Sequence, residues 1–510
     1  MIVRLILGDQ LNKKHSWYTE QNNEVLYFMA EMRQETDYVV HHIQKVVGFF
    51  MSMRNHAKWL REQGHKVLYY TLNHPDNQQQ LAENITQIIT QYDAKEFQYQ
   101  LPDEYRLDKQ LQELCSSLQI TTTAYDTEHF LTSRTELQQF FEGKKQYVME
   151  YFYRYMRKRY DIMMIAENQP EGNQWNFDQS NRKKWKGEPE IYEDKKTHTD
   201  VTELLQLLKE HKVKTIGNID GTQFYWPTSR NEFLDVLQHF CEYLLVHFGD
   251  YQDAMHTDEK YLFHSKLSFA LNTKQIDPLE VIETAIQYWR AHKEEIEISQ
   301  IEGFVRQILG WREYMRGIYW AKMPKYKTEN YLNNTNRLPK FYWTGDTKMN
   351  CMHHAIKQSL DDSYAHHIQR LMVTGNYALL TQTDPDAVDQ WYLGIYIDAI
   401  EWVEITNTRG MSQYADGGVV ATKPYVSSGS YINKMSNYCK GCHYKVSKKI
   451  EKDACPFNSL YWNFLDEKRA YLENNQRMSM MMSMLNKMDN EKLVAIKNRA
   501  NAIISSPDEY

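Results

Sequence analysis

Cysteine is scarce in this chain of 510 residues, yet four of its six cysteines gather in the stretch from Trp343 to Cys455. Cys439-Lys-Gly-Cys442 places two thiolates close enough to grip one metal or cluster, and Cys455 is followed by a proline, as in many cluster-binding loops. Cys351 lies far upstream and must be delivered by the fold. Four thiolates suit a structural zinc or a four-iron cluster, and spacing alone leaves both open beside the plainer reading of unrelated cysteines. Cys115 and Cys241 read as small core residues.

The same stretch carries Tyr364-Ala-His-His-Ile-Gln-Arg370. A helix beginning near Asp362 would align Tyr364, Ile368, Leu371, Gly375, Ala378 and Leu379 as an apolar stripe. His367, Arg370 and Thr374 then share the neighbouring face. A buried arginine needs a counter-charge, and Asp398, read as part of an apolar helix from Trp391 to Trp402, is the obvious one. Such a pair is either structural or the border of a polar, planar ligand.

The elements that must position these groups fall into three parts. Residues 1–130 read as an α/β domain, because Val3–Leu7, Val25–Met29 and Val67–Thr71 are apolar runs of the kind buried parallel strands use. An amphipathic helix spans roughly His42 to Gly64. The first strand runs into Gly8-Asp-Gln-Leu11, at the edge where open α/β sheets bind ligands, without the glycine pattern of a dinucleotide site. Glu35 and Tyr38 face the same crevice or belong to an ordinary surface loop. Residues 131–200 form a connector in which Lys144, Lys145, Arg154, Arg157, Lys158 and Arg159 interleave with tyrosines, followed by Arg182-Lys-Lys-Trp-Lys186. That mixture suits phosphates and stacked bases, or a merely solvated helix flank. Residues 201–510 read as helical, with Phe304, Ile308, Trp311 and Met315 on one stripe and Arg306, Arg312, Glu313 and Arg316 around it.

Net charge is −7, so any attraction to nucleic acid must come from a local basic surface. No apolar run is long enough for a membrane span, and the N-terminal run is too short for a signal peptide. Six cysteines are too few for a disulfide framework. A cytoplasmic monomer without membrane contact is expected.

With these residues in hand, the chain resembles the photolyase/cryptochrome family, in the prokaryotic iron–sulfur branch that contains bacterial (6-4) photolyases. The likeness runs over essentially the whole chain, through Gly310-Trp-Arg-Glu-Tyr-Met-Arg316, Ala365-His-His-Ile-Gln-Arg-Leu-Met372, Gly410-Met-Ser-Gln-Tyr-Ala-Asp416, Gly429-Ser-Tyr-Ile432 and Cys455-Pro-Phe-Asn458. It implies a Rossmann-like antenna domain with a parallel sheet, then an all-α domain holding FAD. It implies a [4Fe–4S] cluster on Cys351, Cys439, Cys442 and Cys455. Asp9, Glu35 and Tyr38 match the site of a 6,7-dimethyl-8-ribityllumazine antenna, although Ala30 stands where better-studied members carry a cysteine. FAD would be met by Tyr251, His264, Ser265, Lys266, Leu267, Ser268, Arg306, Trp311, Glu313, His367, Arg370, Asp398 and Glu404. Ordinary members carry an amide where Glu404 stands, so its carboxyl is expected to be raised in pKa by burial.

The resemblance further implies light-driven repair of (6-4) photoproducts in UV-damaged DNA. The lesion is flipped out of the duplex, and His366 and His367 serve as the active-site histidines. Trp343, Trp391, Tyr392 and Tyr431 match the electron route, and Asp178 and Asp253 a Mg2+ site. A cryptochrome using the same cofactors for signalling is the alternative. A third reading is a cluster-bearing nucleic-acid-binding protein akin to the primase large subunit.

Overall fold

The structure, a computed structural model, describes residues 1–144, 146–180, 182–193 and 196–510. Five parallel strands open the chain: β1 (Ile2–Leu5), β2 (Val25–Ala30), β3 (Lys66–Tyr70), β4 (Glu96–Gln100) and β5 (Thr121–Tyr125). They lie in the order β3-β2-β1-β4-β5 and are linked by α1 (Ile43–Glu62), α2 (Leu81–Gln91) and α3 (Tyr105–Ser117). Every residue of β2 is buried, as befits an interior strand covered on both faces, and its sequence accordingly shows no polar alternation.

The two faces of the sheet serve different ends. On one, Leu81, Ile85 and Ile88 of α2 and Leu107, Leu111 and Leu114 of α3 pack on Val3, Leu5, Phe28 and Phe97 as a closed core. On the other, Tyr27 and Met29 meet Val46, Val47, Phe50 and Met53 of α1, and this core continues into the helical part. The long helix α1 therefore belongs to both halves. Strand order reverses between β1 and β4, which opens a crevice at their carboxyl ends where such sheets bind ligands.

Beyond β5 the described residues hold only two short two-stranded ladders, Met164–Ala166 with Gln169–Pro170 and Thr199–Asp200 with Gln223–Phe224. The rest is helical, including α4 (Met149–Arg159), α5 (Glu313–Lys322), α6 (Asn350–Asp362), α7 (Pro385–Ile395), α8 (Glu401–Ile405) and α9 (Pro456–Glu467). Four π turns among the described residues, Phe240–Leu244, Arg306–Arg312, Gln369–Gly375 and Thr406–Ser412, interrupt or extend the helices. A π turn inserts a residue and re-aims the side chains around it, often at functional sites.

Two expected helices are drawn differently. The helix expected to begin near Asp362 instead ends there, because Ser363 adopts a left-handed conformation (φ 54°) that caps α6. A new helix starts only at His367. The single helix expected from Trp391 to Trp402 is broken: α7 stops at Ile395, residues 396–400 are not helical, and α8 begins at Glu401. Ile395, Ile397 and Ile400 are β-branched and give up little by leaving the helix.

Candidate functional site

Asp398 sits in that break, not within a helix. Its two oxygens take a bidentate pair of hydrogen bonds from Arg370, at 2.9 and 3.1 Å, and Ser268 Oγ donates to Oδ2 at 2.6 Å. Asn272 donates to the Asp398 carbonyl at 2.7 Å. Arg370 also lies 3.8 Å over the Tyr396 ring and donates to Ala365 O. The break is fixed from the other half of the molecule: Lys45 of α1 donates to Leu393 O (2.6 Å) and Ala399 O (2.7 Å), on either side of it. Leu393 O is one of the carbonyls the end of α7 leaves unpaired, so a buried ammonium is a fitting cap. A Cβ on Gly394 would come within 2.4 Å of Val40 O, so only glycine allows the chain before α1 to lie this close.

The histidines border the same recess. His366 is buried and stacks on His264 with ring centroids 4.6 Å apart. His367 is exposed, yet it is surrounded by protein on most sides, as expected for the wall of a deep recess. Desolvation and the neighbouring Arg370 hold His367 down to about 4, and burial holds His264 down to about 4. His366 is pushed well below its usual value by burial and then by the other histidines and Arg370. Tyr251 reaches this wall through Phe263, 5.3 Å away, just before the His264–Ser268 turn. Within that turn Ser265 is half-buried, Leu267 is buried, and Lys266 is left-handed (φ 55°) with its ammonium 4.2 Å from the Tyr261 ring. Glu404 of α8 is buried with Oε1 lacking a hydrogen-bond partner. Its carboxyl is held well above the usual range by burial and then by Asp389.

The remaining expected flavin residues divide. Arg306 is buried, its Nε 3.3 Å from Glu302 and its Nη1 3.5 Å from Asp178, while Nη2 has no hydrogen-bond partner. Trp311 is half-buried, edge-on to Tyr314. Glu313 lies elsewhere: it accepts from Thr132 at 2.8 Å and pairs with Arg312, at the seam with the sheet domain. That arginine spacing signals an interdomain contact as readily as a ligand, which is why pattern alone does not separate them.

Aromatic rings lead away from Asp398. Tyr396 lies 5.5 Å from Tyr392 and 5.9 Å from Trp391; Trp391 is 5.2 Å from Tyr392 and 5.1 Å from Tyr342. Trp343, next in sequence, is 46% exposed and opens to solvent. Tyr396 and Tyr342 were not among the expected residues, and in a chain with 37 tyrosines nothing local marks them. Tyr431 stands apart from this series, beside Asp253 and Arg182.

The four cysteines line one enclosed pocket with Met349, Gly429 and Tyr438. All are free thiols. A Cβ on Gly429 would lie 2.8 Å from Cys455 Sγ, so the glycine lets the backbone of 429 close under the sulfur. Asn458 ties the loops together, accepting from Gly429 N and donating to Val446 O and Lys448 O, and Tyr444 N–H points at Cys442 Sγ (3.4 Å). Among the described residues no three His, Cys, Asp or Glu side chains converge as a single metal ion requires.

In the sheet crevice, Asp9 meets Lys274 (2.8 Å), which also meets Asp103 (3.0 Å). Arg106 joins Glu35 (2.8 Å) to Glu104 (2.6 Å) and lies 4.5 Å over the Tyr38 ring, which is 41% exposed. Asp9, Glu35 and Tyr38 thus converge on one short segment after β4. Burial raises Glu104 to about 8 despite Arg106.

The chain is 37% identical to a protein named (6-4) photolyase from Agrobacterium fabrum, over 99% of both chains. This chain belongs to the photolyase family. Residues 4–224 match the family model for deoxyribodipyrimidine photo-lyase-related protein. The fold of the photolyase-family chain is that of a bacterial class III photolyase from Agrobacterium tumefaciens (TM-score 0.58, 13% identity, 100% of this chain and 97% of that one). It also matches a cryptochrome from Synechocystis (TM-score 0.53, 14% identity, 92% and 93%). No helix among the described residues is long and apolar enough to cross a membrane.

Two further expectations meet this photolyase fold less simply. Asp178 is occupied by Arg182 (2.6 Å) and Arg306, while burial and Asp178 raise Asp253 to about 6. Two carboxyls facing two arginines are a poor donor set for Mg2+. In the basic aromatic segment, Lys145 lies outside the described residues. Arg157 is fully buried and donates to Ile162 O and Trp175 O, and Arg154, Arg157 and Lys158 all lie within 5.6 Å of the Trp175 ring. Arg157 is thus packed, whereas Lys158 and Arg159 stay exposed, with Arg159 paired to Glu136 and Arg154 to Glu150. Arg182 and Lys183 are exposed but paired with Asp178 and Asp250.

Proposed function

We propose that this protein is a light-dependent DNA repair enzyme acting on (6-4) photoproducts, with FAD in the recess around Arg370 and Asp398. The observation that carries the reading is His367, an accessible imidazole on the wall of a recess whose floor is an Arg–Asp pair, in a chain alike over its full length to a named (6-4) photolyase. The residues fit a flavin: beside the Arg370–Asp398 pair, His264 Nε2, His366 Nδ1 and Glu404 Oε1 are buried polar atoms without hydrogen-bond partners, the kind of groups a polar planar ligand satisfies. When bound and excited in its reduced state, FAD supplies one electron to the lesion.

The protein's own groups do the rest. Arg370 and Asp398, held by Ser268 and Lys45, orient the ligand. His367 hydrogen-bonds the flipped-out lesion and hands it a proton. Burial and then Arg370 disfavour its imidazolium in the free protein, and an approaching anionic strand offsets the Arg370 charge and favours uptake of the proton. His366, stacked on His264, fixes where His367 begins its helix. Tyr396, Tyr392, Trp391 and Tyr342 offer a chain of close rings ending beside exposed Trp343, suited to bringing electrons inward.

A [4Fe–4S] cluster on Cys351, Cys439, Cys442 and Cys455 suits the second pocket, whose lining brings all four cysteines together among Met349, Ile432, Val446 and Phe457. The sheet crevice suits a planar ribityl-lumazine, with Tyr38 and Arg106 offering flat surfaces and Asp9 and Glu35 polar ends. The test is illumination of the reduced, purified protein with DNA carrying a (6-4) lesion. Restored thymines are expected, with a loss of ~10²–10⁴-fold in His367→Ala at unchanged flavin content. Normal flavin photoreduction without repair in the wild type would instead favour a photoreceptor.

A further inference from the structure

Gln369 is a buried amide whose hydrogen bonds reach three different segments. Its Oε1 accepts from the backbone N–H of His366 at 3.1 Å. Its Nε2 donates to Gln358 Oε1 of α6 at 2.8 Å and to the Tyr438 hydroxyl at 3.1 Å. Tyr438, itself buried, lines the cysteine pocket and directly precedes Cys439. We propose that Gln369 and Tyr438 are positioning residues that couple the cysteine pocket to the histidine wall of the recess, so that the order of the cysteine loop sets how His366 and His367 are held. The inference rests on the repair reading above only for what those histidines do.

At the histidine end the bond is a cap. The helix that carries His367 starts at that residue, which makes Gln369 its third position. A side chain there that reaches back to the N–H before the helix is the return half of a capping box. It fixes the residue from which the helix departs, and so the direction in which His367 projects. The His366 ring adds little anchorage of its own, since it stacks on His264 and its Nδ1 has no hydrogen-bond partner.

The cysteine end is held by the same helix that holds the amide. Asn350 donates to Tyr438 O at 2.8 Å, and the Tyr438 ring lies parallel to that of His354, 5.7 Å away. Both partners belong to α6, which carries Cys351 in its first turn and Gln358 two turns later. With Oε1 committed to His366, both Nε2 protons go to Gln358 and Tyr438, so the amide has one orientation. Loss of the Tyr438 hydroxyl would leave one of those N–H groups buried without an acceptor, and the amide could recover a partner only by turning away from His366. Cys439, once ligated, would hold the turn Tyr438–Gly441, and the Gln369 amide passes that order to the start of the histidine helix.

Hydrogen exchange of the holoprotein, read by mass spectrometry over residues 364–372 and 436–444, tests the link without light or lesion. Tyr438→Phe, which removes only a hydroxyl at the cysteine end, should speed exchange over 364–372 by about two- to tenfold, the effect of one buried hydrogen bond. Gln369→Met, at the histidine end, should speed exchange over 436–444 in return. The double variant should exchange over 364–372 no faster than Gln369→Met alone, because both substitutions act through one amide. In repair assays Tyr438→Phe should lower kcat more than it changes KM. It should also raise the pH of the limb governed by His367, whose imidazole is held down by burial and by Arg370, with His264 and His366 beside it. A general loss of stability would not move that limb. Unchanged exchange over 364–372 in Tyr438→Phe, or two effects that simply add in the double variant, overturns the link. Wild-type protein that shows the exchange coupling but repairs no lesion overturns the functional reading and leaves the link standing.

Discussion

At the carboxyl edge of the sheet, each buried charge meets an opposite one. Lys274 stands between Asp9 and Asp103, Arg316 closes on Asp103 at 3.1 Å, and Arg106 joins Glu35 to Glu104. In the helical recess Arg370 is matched by Asp398 and Arg306 by Glu302 and Asp178, while Glu404, His264 and His366 keep unpartnered atoms. A ligand entering the crevice meets a wall already neutralised, so shape and ring contact with Tyr38 must select it. A ligand entering the recess supplies hydrogen bonds the protein lacks, and binding there contributes directly to holding the helices together. The crevice is finished without its occupant; the recess is finished by it.

The largest expected effect breaks the matched side. Lys274→Met removes the cation between Asp9 and the fully buried Asp103, leaving only Arg316 to offset them, and should lower unfolding stability by about 3–5 kcal/mol in a urea titration. A loss under about 1 kcal/mol would mean the crevice charges are not mutually dependent. Next is Asp398→Ala in the recess. Arg370 keeps 21% exposure of its side chain, so the stability cost should be smaller, about 2–3 kcal/mol, but flavin absorbance should fall with it. Retention of full flavin content would detach the pair from ligand binding.

The seam between the regions sharpens the contrast through pH. His42, fully buried at the start of α1, is held down to about 4 by burial. An unfolded histidine titrates near 6.5, so below that pH the unfolded chain binds a proton the folded one refuses. Stability attributable to His42 is therefore intact above about 6.5 and is lost as pH falls towards 4. Moving from pH 7 to 5 should cost about 2 kcal/mol, and His42→Asn, which keeps an acceptor for the α1 cap, should flatten that slope. The smallest effect belongs to the rim: Glu35→Gln, at a side chain 31% exposed, should change stability by less than about 1 kcal/mol, with pigment binding as the more sensitive measurement.

Much of this was legible in the sequence where one physical signal dominated. The first three strands of the sheet announce themselves as apolar runs, and α1 because its apolar face repeats through Val46, Phe50, Met53, Ala57 and Leu60. By contrast, β4 (Glu96-Phe-Gln-Tyr-Gln100) and β5 (Thr121-Thr-Thr-Ala-Tyr125) carry no such run and went unread. Arg370 and Asp398 were matched by charge alone, and they do pair, although Asp398 reaches Arg370 from a break that no periodicity marks. The helix stop at Asp362 depends on the backbone of Ser363, a residue with no strong preference for it. Lys45 is the clearest loss: a lysine in an amphipathic helix reads as surface, and only the neighbouring domain turns it into a buried cap. Arg157 fails in the same way, since a basic helix face and a packed one share the same letters.

The contact of Lys45 and Val40 with the α7–α8 break has a practical reach. The sheet domain is not a detachable module that could be trimmed away to leave a minimal catalytic fragment. Cutting the chain after β5 would remove the donor that caps Leu393 O and Ala399 O and expose the apolar face that α1 covers. A truncated helical half would lose the shape of its own ligand site, so dissection experiments on this protein report on folding before they report on what each half binds.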